Sequence, residues 1–367
     1  MRLTSDGKIL IPNYVSNREI FLHLAEKAKL KLIHQSLPGL GWQNESLTQD
    51  YAVFDQGSST TLVHMSGVHG IEGYLGSSIQ EKILSTIATG FQDAKINVIL
   101  VHAVNPFGMS WYRRVNAENI DLNRNGIADN DRPINKDNSL FADFLQSKSA
   151  GDFLKSAAPT VIQLAKLGLK RSSQAIAGGQ WEYPLGLFYG GLEVQEEIKI
   201  LTASLKQLTP TAKKYFVIDV HTGLGPWAKD SLLVNSDQPQ ILQFFRGATQ
   251  EGSIENRVID TSPSGDSQGY RSQCTIDHYL KLSLQKMGVP VHYITHEFGT
   301  HSAQSVLFSM IRENALYQKS PRDRERIQIL LKAFFPSEKN WLYSCRNLGL
   351  KRFSQILQAL ESQSTPV

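Results

Sequence analysis

Residues 61–90 read TLVHMSGVHGIEGYLGSSIQEKILSTIATG, and residues 96–108 read INVILVHAVNPFG. Thr61–Ser66 is an apolar-rich run of strand length. Gly67–Gly70 interrupts it, Glu72–Ala88 carries apolar residues at helical spacing, and Ile96–Val104 is a second, buried strand. A strand–helix–strand unit of this kind is a parallel, right-handed crossover. The fold class expected is therefore α/β. In open α/β sheets ligands bind outside the carboxyl ends of the strands, and polar residues stand at both ends quoted: His69-Gly70-Ile71-Glu72 after the first strand, Asn105-Pro106 after the second.

Outward from this unit the pattern continues. Ser16 and Glu19 form a capping box that predicts a helix over about Asn17–His34. Residues 36–49 read as loop and Tyr51–Phe54 as strand. Asn105–Asp137 is a long polar segment, and such segments inside a compact fold usually serve function or movement. Leu192–Leu208 reads as helix, and Tyr215–Val220 as a buried strand closed by His221-Thr222-Gly223. Residues 261–271 form a Ser/Gly-rich loop, Asp277–Met287 a helix, Val291–Thr295 a strand, and Ser302–Ser362 is mostly helical. No repeat or low-complexity tract interrupts this order.

The 367 residues carry 38 Lys+Arg against 34 Asp+Glu, a net charge of +4, with 41% hydrophobic residues. That composition supports a large core and excludes a disordered chain. The net charge is too weak to imply nucleic acid. No apolar run approaches a signal-peptide core or a membrane span, so a cytoplasmic protein with no nucleic-acid or membrane partner is expected. Two cysteines, Cys274 and Cys345, cannot build a disulfide framework or a Cys-rich zinc site. A metal in this chain must be held by His and carboxylate.

The strand ends supply such a set. His69 and Glu72, three apart where a helix begins, share one side of a turn. His221 is the best third ligand, and three protein ligands with an open position make a catalytic zinc site. Glu297 ends the strand Val291–Thr295 and would face the same cleft. HEFGTH at 296–301 is not an HExxH helix, because its histidines are five apart with Gly299 between them. His64 and His102 sit inside apolar strands and read as satisfied core histidines. Cys274 reads as a buried, inert thiol.

The combination of HGIE at 69–72, NPFG at 105–108, RRVNAENIDLNRN at 113–125, DVHTG at 219–223 and HEFGT at 296–300 resembles the zinc carboxypeptidases (peptidase family M14). It is most similar to a bacterial branch known as a domain of unknown function, DUF2817, over roughly residues 15–320. The resemblance implies a three-layer α/β/α domain around a mixed, mainly parallel sheet of about eight strands. It implies one zinc ion on His69, Glu72 and His221, with Glu297 as the general base toward zinc-activated water. Arg114 would polarise the scissile carbonyl, with neighbouring Arg113 as the alternative. Asn123 and Arg124 would hold the substrate's terminal carboxylate, and Asp121 would orient a ligand histidine. Tyr270, or alternatively Tyr279, would close over the substrate, and Ile276 falls near the position that sets side-chain preference.

The same resemblance implies a metallohydrolase that cuts an amide or peptide bond beside a free carboxylate, in a small peptide or an N-acyl amino acid. A deacylase of the aspartoacylase type and a peptidoglycan-fragment amidase are the enzyme alternatives. A non-catalytic peptide-binding module with a degenerate site is the alternative of another class. The expected organisation is a catalytic domain over 1–320, with a helical insertion at about 138–208, and a helical extension over 321–367 packed on it.

Overall fold

A computed structural model of the chain describes residues 11–90, 95–127, 132–235, 239–249, 258–261 and 271–364. Helix α1 (Tyr14–Lys27) starts at Asn13, whose side chain accepts the Ser16 N–H at 2.9 Å. The capping residue is thus three positions earlier than Ser16. The helix also ends sooner than the sequence predicts. Lys29 adopts a left-handed conformation at φ +56°, and strand β1 (Lys31–Leu40) follows, holding His34. β1 pairs antiparallel with β2 (Ser46–Phe54), so most of residues 36–49, expected as loop, are sheet. β1 is an edge strand with alternating partial exposure, and its polar positions masked its period.

The crossover unit is built from β3 (Thr60–Met65), a 3₁₀ turn at Gly70–Glu72, α2 (Gly73–Gly90) and β4 (Asn97–His102), and β3 and β4 pair in parallel. A short α3 (Pro106–Ser110) follows, capped by Asn105, whose side chain accepts the Gly108 N–H at 2.8 Å. Then come a 3₁₀ turn at Leu122–Arg124, α4 (Ala142–Leu145), α5 (Ala150–Ala177) and α6 (Glu196–Leu208). The second half of the sheet is β5 (Lys214–Trp227), β6 (Asp230–Val234), α7 (Pro239–Thr249), β7 (Val258–Asp260), α8 (Ile276–Gln285) and β8 (Val291–Gly299). Helices α9 (Ala303–Lys319), α10 (Arg324–Phe334) and α11 (Lys339–Ser364) complete the chain.

The eight strands among the described residues form one mixed sheet in the order β1-β2-β4-β3-β5-β8-β6-β7. Its centre, β4-β3-β5-β8, is parallel, and β1, β2 and β6 join by antiparallel pairing. A cluster including Phe21, Leu75, Ile79, Phe245, Leu330 and Trp341 fills one face, and a second, including Ile198, Leu201, Leu205, Ile276 and Leu280, fills the other. Burying both faces is what makes the central strands continuous apolar runs rather than alternating ones. α6 belongs to the second cluster and is packed directly on the sheet.

The C-terminal helices are fixed by specific polar contacts as well as by packing. Trp341 Nε1 donates to the Gly299 carbonyl at 2.8 Å, and the Thr222 hydroxyl donates to the Phe334 carbonyl at 2.7 Å. Arg352 makes two bonds to buried Asp230 at 2.7 and 3.3 Å. His64 and His102 are fully buried, as expected, but both ring nitrogens of His102 and Nε2 of His64 have no hydrogen-bond partner. Cys345 is buried; Cys274, expected buried, is half-buried. No helix among the described residues is long and apolar enough to cross a membrane.

Candidate metal centre

The turn after β3 puts His69 at the start of the 3₁₀ turn and Glu72 at its end. Gly70 is required there: a Cβ on it would stand 1.9 Å from the backbone carbon of Gly108 in the middle of α3. That close approach presses the turn against the next segment. The Gly70 and Ile71 amides donate to the carbonyls of Arg114 and Arg113 at 3.1 and 2.8 Å. His69 and Glu72 are therefore held from two sides, by the end of β3 and by the backbone that carries Arg114.

His221 and Glu297 lie within strands, not just past them, because β5 and β8 run several residues beyond their expected ends. They are register partners on the parallel pair. His69 Nδ1, a Glu72 carboxylate oxygen and His221 Nδ1 all lie within 4.8 Å of one another. The individual separations are 2.9 Å from His69 Nδ1 to Glu72 Oε1, 3.1 Å from His221 Nδ1 to Glu72 Oε2, and 3.0 Å between the two Nδ1 atoms. All three side chains are buried.

The opposite edges of the two imidazoles decide what these atoms are. His69 Nε2 sits 3.1 Å from Asp121 Oδ1, and His221 Nε2 sits 2.5 Å from Asp219 Oδ2. For Asp121, burial acts upward, but Arg114, His69 and Arg124 together outweigh it and hold that carboxyl well below its usual range. An ionised carboxylate only accepts, so both Nε2 atoms carry a proton and both Nδ1 atoms face the cluster. Two imidazole Nδ1 atoms facing each other at 3.0 Å beside a carboxylate need a cation among them, either a proton or a metal. For Glu72, burial acts upward, but His69 and His221 outweigh it and hold the carboxyl below its ordinary range. For His221, burial acts downward and is outweighed by Asp219 and Glu72, which raise it well above its ordinary value. The donor set, two imidazole nitrogens and a carboxylate each fixed from behind, fits a divalent metal.

Around this triad stand the other residues. Arg114 donates to Asp121 Oδ2 at 2.9 Å and to Glu72 Oε1 at 3.2 Å. Glu297 accepts the Leu224 N–H at 2.9 Å, and burial, then the charge of Glu72, push its carboxyl up to about 7. Asn123 follows Asp121 in the 3₁₀ turn and accepts the Ile276 N–H at 3.3 Å. Arg124 is buried, and its guanidinium donates to the carbonyls of Ala177 and Asn123.

Three expected residues have side chains held in packing, and a fourth is not described. The Arg113 guanidinium points into the α9–α10 packing. It donates to Glu313 at 3.1 Å and to Asn119 and Asn314 at 3.0 Å, and lies 3.6 Å from the Tyr317 ring centroid. The chain bends at Arg114 and Val115, and the two guanidinium groups part there, Arg113 to Glu313 and Arg114 to Glu72 and Asp121. Tyr279 is half-buried against the apolar cluster under α6 and α8, and Ile276 is a buried member of it. Tyr270 lies outside the described residues. Asp219 was missed. Its signal was present in DVH: residues i and i+2 on a strand share a face, so the carboxylate is placed to hold the imidazole. Tyr293 adds a hydroxyl bond to the same oxygen at 2.6 Å.

A mixed eight-stranded sheet with helices on both faces and a His/Glu/His cluster at its parallel centre is the carboxypeptidase-like α/β fold. The chain aligns with the carboxypeptidase A of Helicoverpa armigera at a TM-score of 0.53 and 12% identity, covering 99% of this chain and 76% of that one. With bovine thrombin-activatable fibrinolysis inhibitor, solved in complex with tick carboxypeptidase inhibitor, the TM-score is 0.51 at 10% identity, covering 97% and 99%. At these identities the likeness is one of fold. The chain belongs to the DUF2817 family, a family of proteins of unknown function, which it matches over residues 11–345. No curated protein matches it.

Proposed function

We propose that the protein is a zinc-dependent metallohydrolase of the carboxypeptidase type, cutting an amide or peptide bond next to a free carboxylate. The observation that carries this reading is the convergence of His69 Nδ1, Glu72 and His221 Nδ1, with Asp121 and Asp219 holding the imidazoles from behind. His69, Glu72 and His221 would hold one zinc ion. When bound, zinc supplies Lewis-acid polarisation and makes water more acidic.

The chain's own residues supply the rest. Glu297 takes the proton of the attacking water and returns it to the leaving nitrogen. A carboxyl raised toward neutrality is suited to both directions. Arg114 stands between Glu72 and Asp121 with its charge beside the centre, where it stabilises oxyanion charge as the carbonyl is attacked. Asn123 and Arg124 are the residues we assign to the substrate carboxylate. Arg124 would exchange its bonds to the Ala177 and Asn123 carbonyls for a bidentate pair with that carboxylate. Arg113, committed to Glu313 and Tyr317, has a packing role in this reading.

The test is metal content together with turnover. The purified chain should bind one zinc per molecule and hydrolyse members of a panel of short peptides and N-acyl amino acids, and a chelator should abolish that hydrolysis. A chain without stoichiometric zinc overturns the reading. Hydrolysis confined to N-acyl amino acids makes the protein a deacylase on the same site.

A further inference from the structure

Helix α5 presents to solvent a row of apolar side chains that no described part of the chain covers. Leu154, Val161 and Ile162 are 71%, 63% and 53% exposed, and Leu169, past a break at Gly168, is 81% exposed. With the exposed Ala158 and Ala165, the row up to the break has the spacing i, i+4, i+7, i+8, i+11, which is one face of a helix. The fold uses a different face: Phe153 packs on Phe144 and Phe308, and Leu164 and Leu167 lie against the main apolar cluster. Scattered exposed apolar residues need no explanation, but a continuous row does.

The charge beside this row is one-sided. Residues 148–171 hold Lys148, Lys155, Lys166, Lys170 and Arg171 against Asp152 alone, an excess equal to the +4 of the entire chain. Arg171 is paired with Asp137. The four lysines are exposed and have no ion-pair partner among the described residues. Lys155 and Lys166, eleven positions apart, fall on the same flank of the row. A second copy of the chain is a poor occupant: laid antiparallel about Val161, it would bring the lysines at 155 and 166 against each other.

We propose that this face of α5 docks the protein on an anionic lipid surface. The apolar row enters the boundary between headgroups and acyl chains, and the lysines reach the lipid phosphates along their own apolar stems. The expectation of no membrane partner rested on the lack of a spanning segment; a helix lying in the interface needs none.

The test is flotation of the full chain with vesicles of phosphatidylcholine alone and of phosphatidylcholine with phosphatidylglycerol in equal parts. Binding to the second and not the first, weakening as salt is raised, is expected. Lys155→Gln with Lys166→Gln should weaken it about 30-fold, and Val161→Ser with Ile162→Ser should reduce it to the level of neutral vesicles. All four side chains are exposed, so unchanged circular dichroism and melting temperature establish that the variants are folded. The proposal is overturned by absence of binding to the anionic vesicles, by binding indifferent to both double substitutions, or by a concentration-dependent dimer that Ile162→Ser abolishes.

Discussion

His221 and Glu297 stand opposite each other in register on the parallel strands β5 and β8. Neighbouring strands lie about 4.8 Å apart, so the sheet ladder sets the separation of an assigned metal ligand and the assigned base. A slip of one residue in either strand would turn its side chain to the opposite face. The spacing of the two side chains is thereby written into backbone pairing, with the Leu224 N–H holding the Glu297 carboxylate at 2.9 Å.

Glu297→Gln preserves shape and removes the proton acceptor. Zinc content by mass spectrometry should be unchanged, while kcat falls by about 10²- to 10⁴-fold. The base must be ionised to work, so wild-type kcat/KM should decline as pH falls below about 7, the region to which burial and Glu72 push this carboxyl. A bound cation moves that limb lower without changing its sign. Turnover equal to wild type would remove Glu297 from the role of base.

Asp219→Asn tests the histidine tautomer. The amide can present its nitrogen to His221 Nε2, which then loses the carboxylate that keeps its proton there. Zinc affinity, measured by competition with a chelator, should drop about 10- to 100-fold, with the melting temperature of the metal-free chain shifted far less. Equal affinity in the two proteins would show that Asp219 does not orient the ligand.

The sequence revealed the crossover β3-α2-β4 and the residues at the strand ends because buried parallel strands announce themselves as apolar runs, and the turn after β3 carries its own polar signature. What stayed hidden has physical reasons. β1 is a half-exposed edge strand whose residues 31–40, KLIHQSLPGL, include Pro38 and Gly39 and show no clean alternation. The true ends of β5 and β8 are set by their pairing with each other beyond His221 and Glu297, including Gly223 with Gly299. Adjacent arginines at 113 and 114 look alike as letters. Only the helix carrying Glu313 and Tyr317, some two hundred residues away, decides which of them turns inward to packing.

Gly70→Ala should be far more damaging than an ordinary Gly→Ala change. The new methyl would stand 1.9 Å from Gly108 backbone, so the turn and α3 must separate. The amide bonds from Gly70 and Ile71 to Arg114 and Arg113 would stretch with them. The expected result is loss of stoichiometric zinc, with a drop in stability of about 1–3 kcal/mol typical of overpacking, read by denaturant titration. A variant that binds zinc as wild type would show that the turn tolerates this displacement.

Stability should fall in mild acid because of histidines outside the His69, Glu72 and His221 cluster. Burial pushes His64 down to about 3 and His102 down to about 4, from an ordinary 6.5. Between those values and 6.5 the unfolded chain binds protons that the folded chain refuses. Stability is therefore full above about pH 6.5 and is lost as pH falls toward the folded values. At pH 5 each histidine costs about 2 kcal/mol relative to neutral pH. His102 stacks on Phe21 at 5.0 Å and has no hydrogen-bond partner to lose, so His102→Phe should reduce this pH dependence and leave stability at pH 7 little changed. Parallel denaturation curves of the two proteins at both pH values decide it.

The last prediction separates the catalytic unit we assign to 1–320 from the extension 321–367. If that extension were an accessory, its removal would leave the sheet intact. The contacts argue otherwise. Trp341 caps the Gly299 carbonyl two residues after Glu297, Phe334 receives the Thr222 hydroxyl one residue after His221, and Arg352 neutralises Asp230, which also accepts from His296 beside Glu297. Arg352→Ala leaves the Asp230 carboxylate buried with, among the described residues, only His296 against it, a loss of about 3–5 kcal/mol, whereas Arg352→Met with Asp230→Leu should be much milder because no charge remains unpaired. Truncation after Ser320 should yield insoluble chain, since Leu330, Phe334, Trp341 and Phe353 all belong to the main apolar cluster. A truncated chain that stays monomeric and active would make the extension dispensable, and would place the support of β5 and β8 entirely within the first 320 residues.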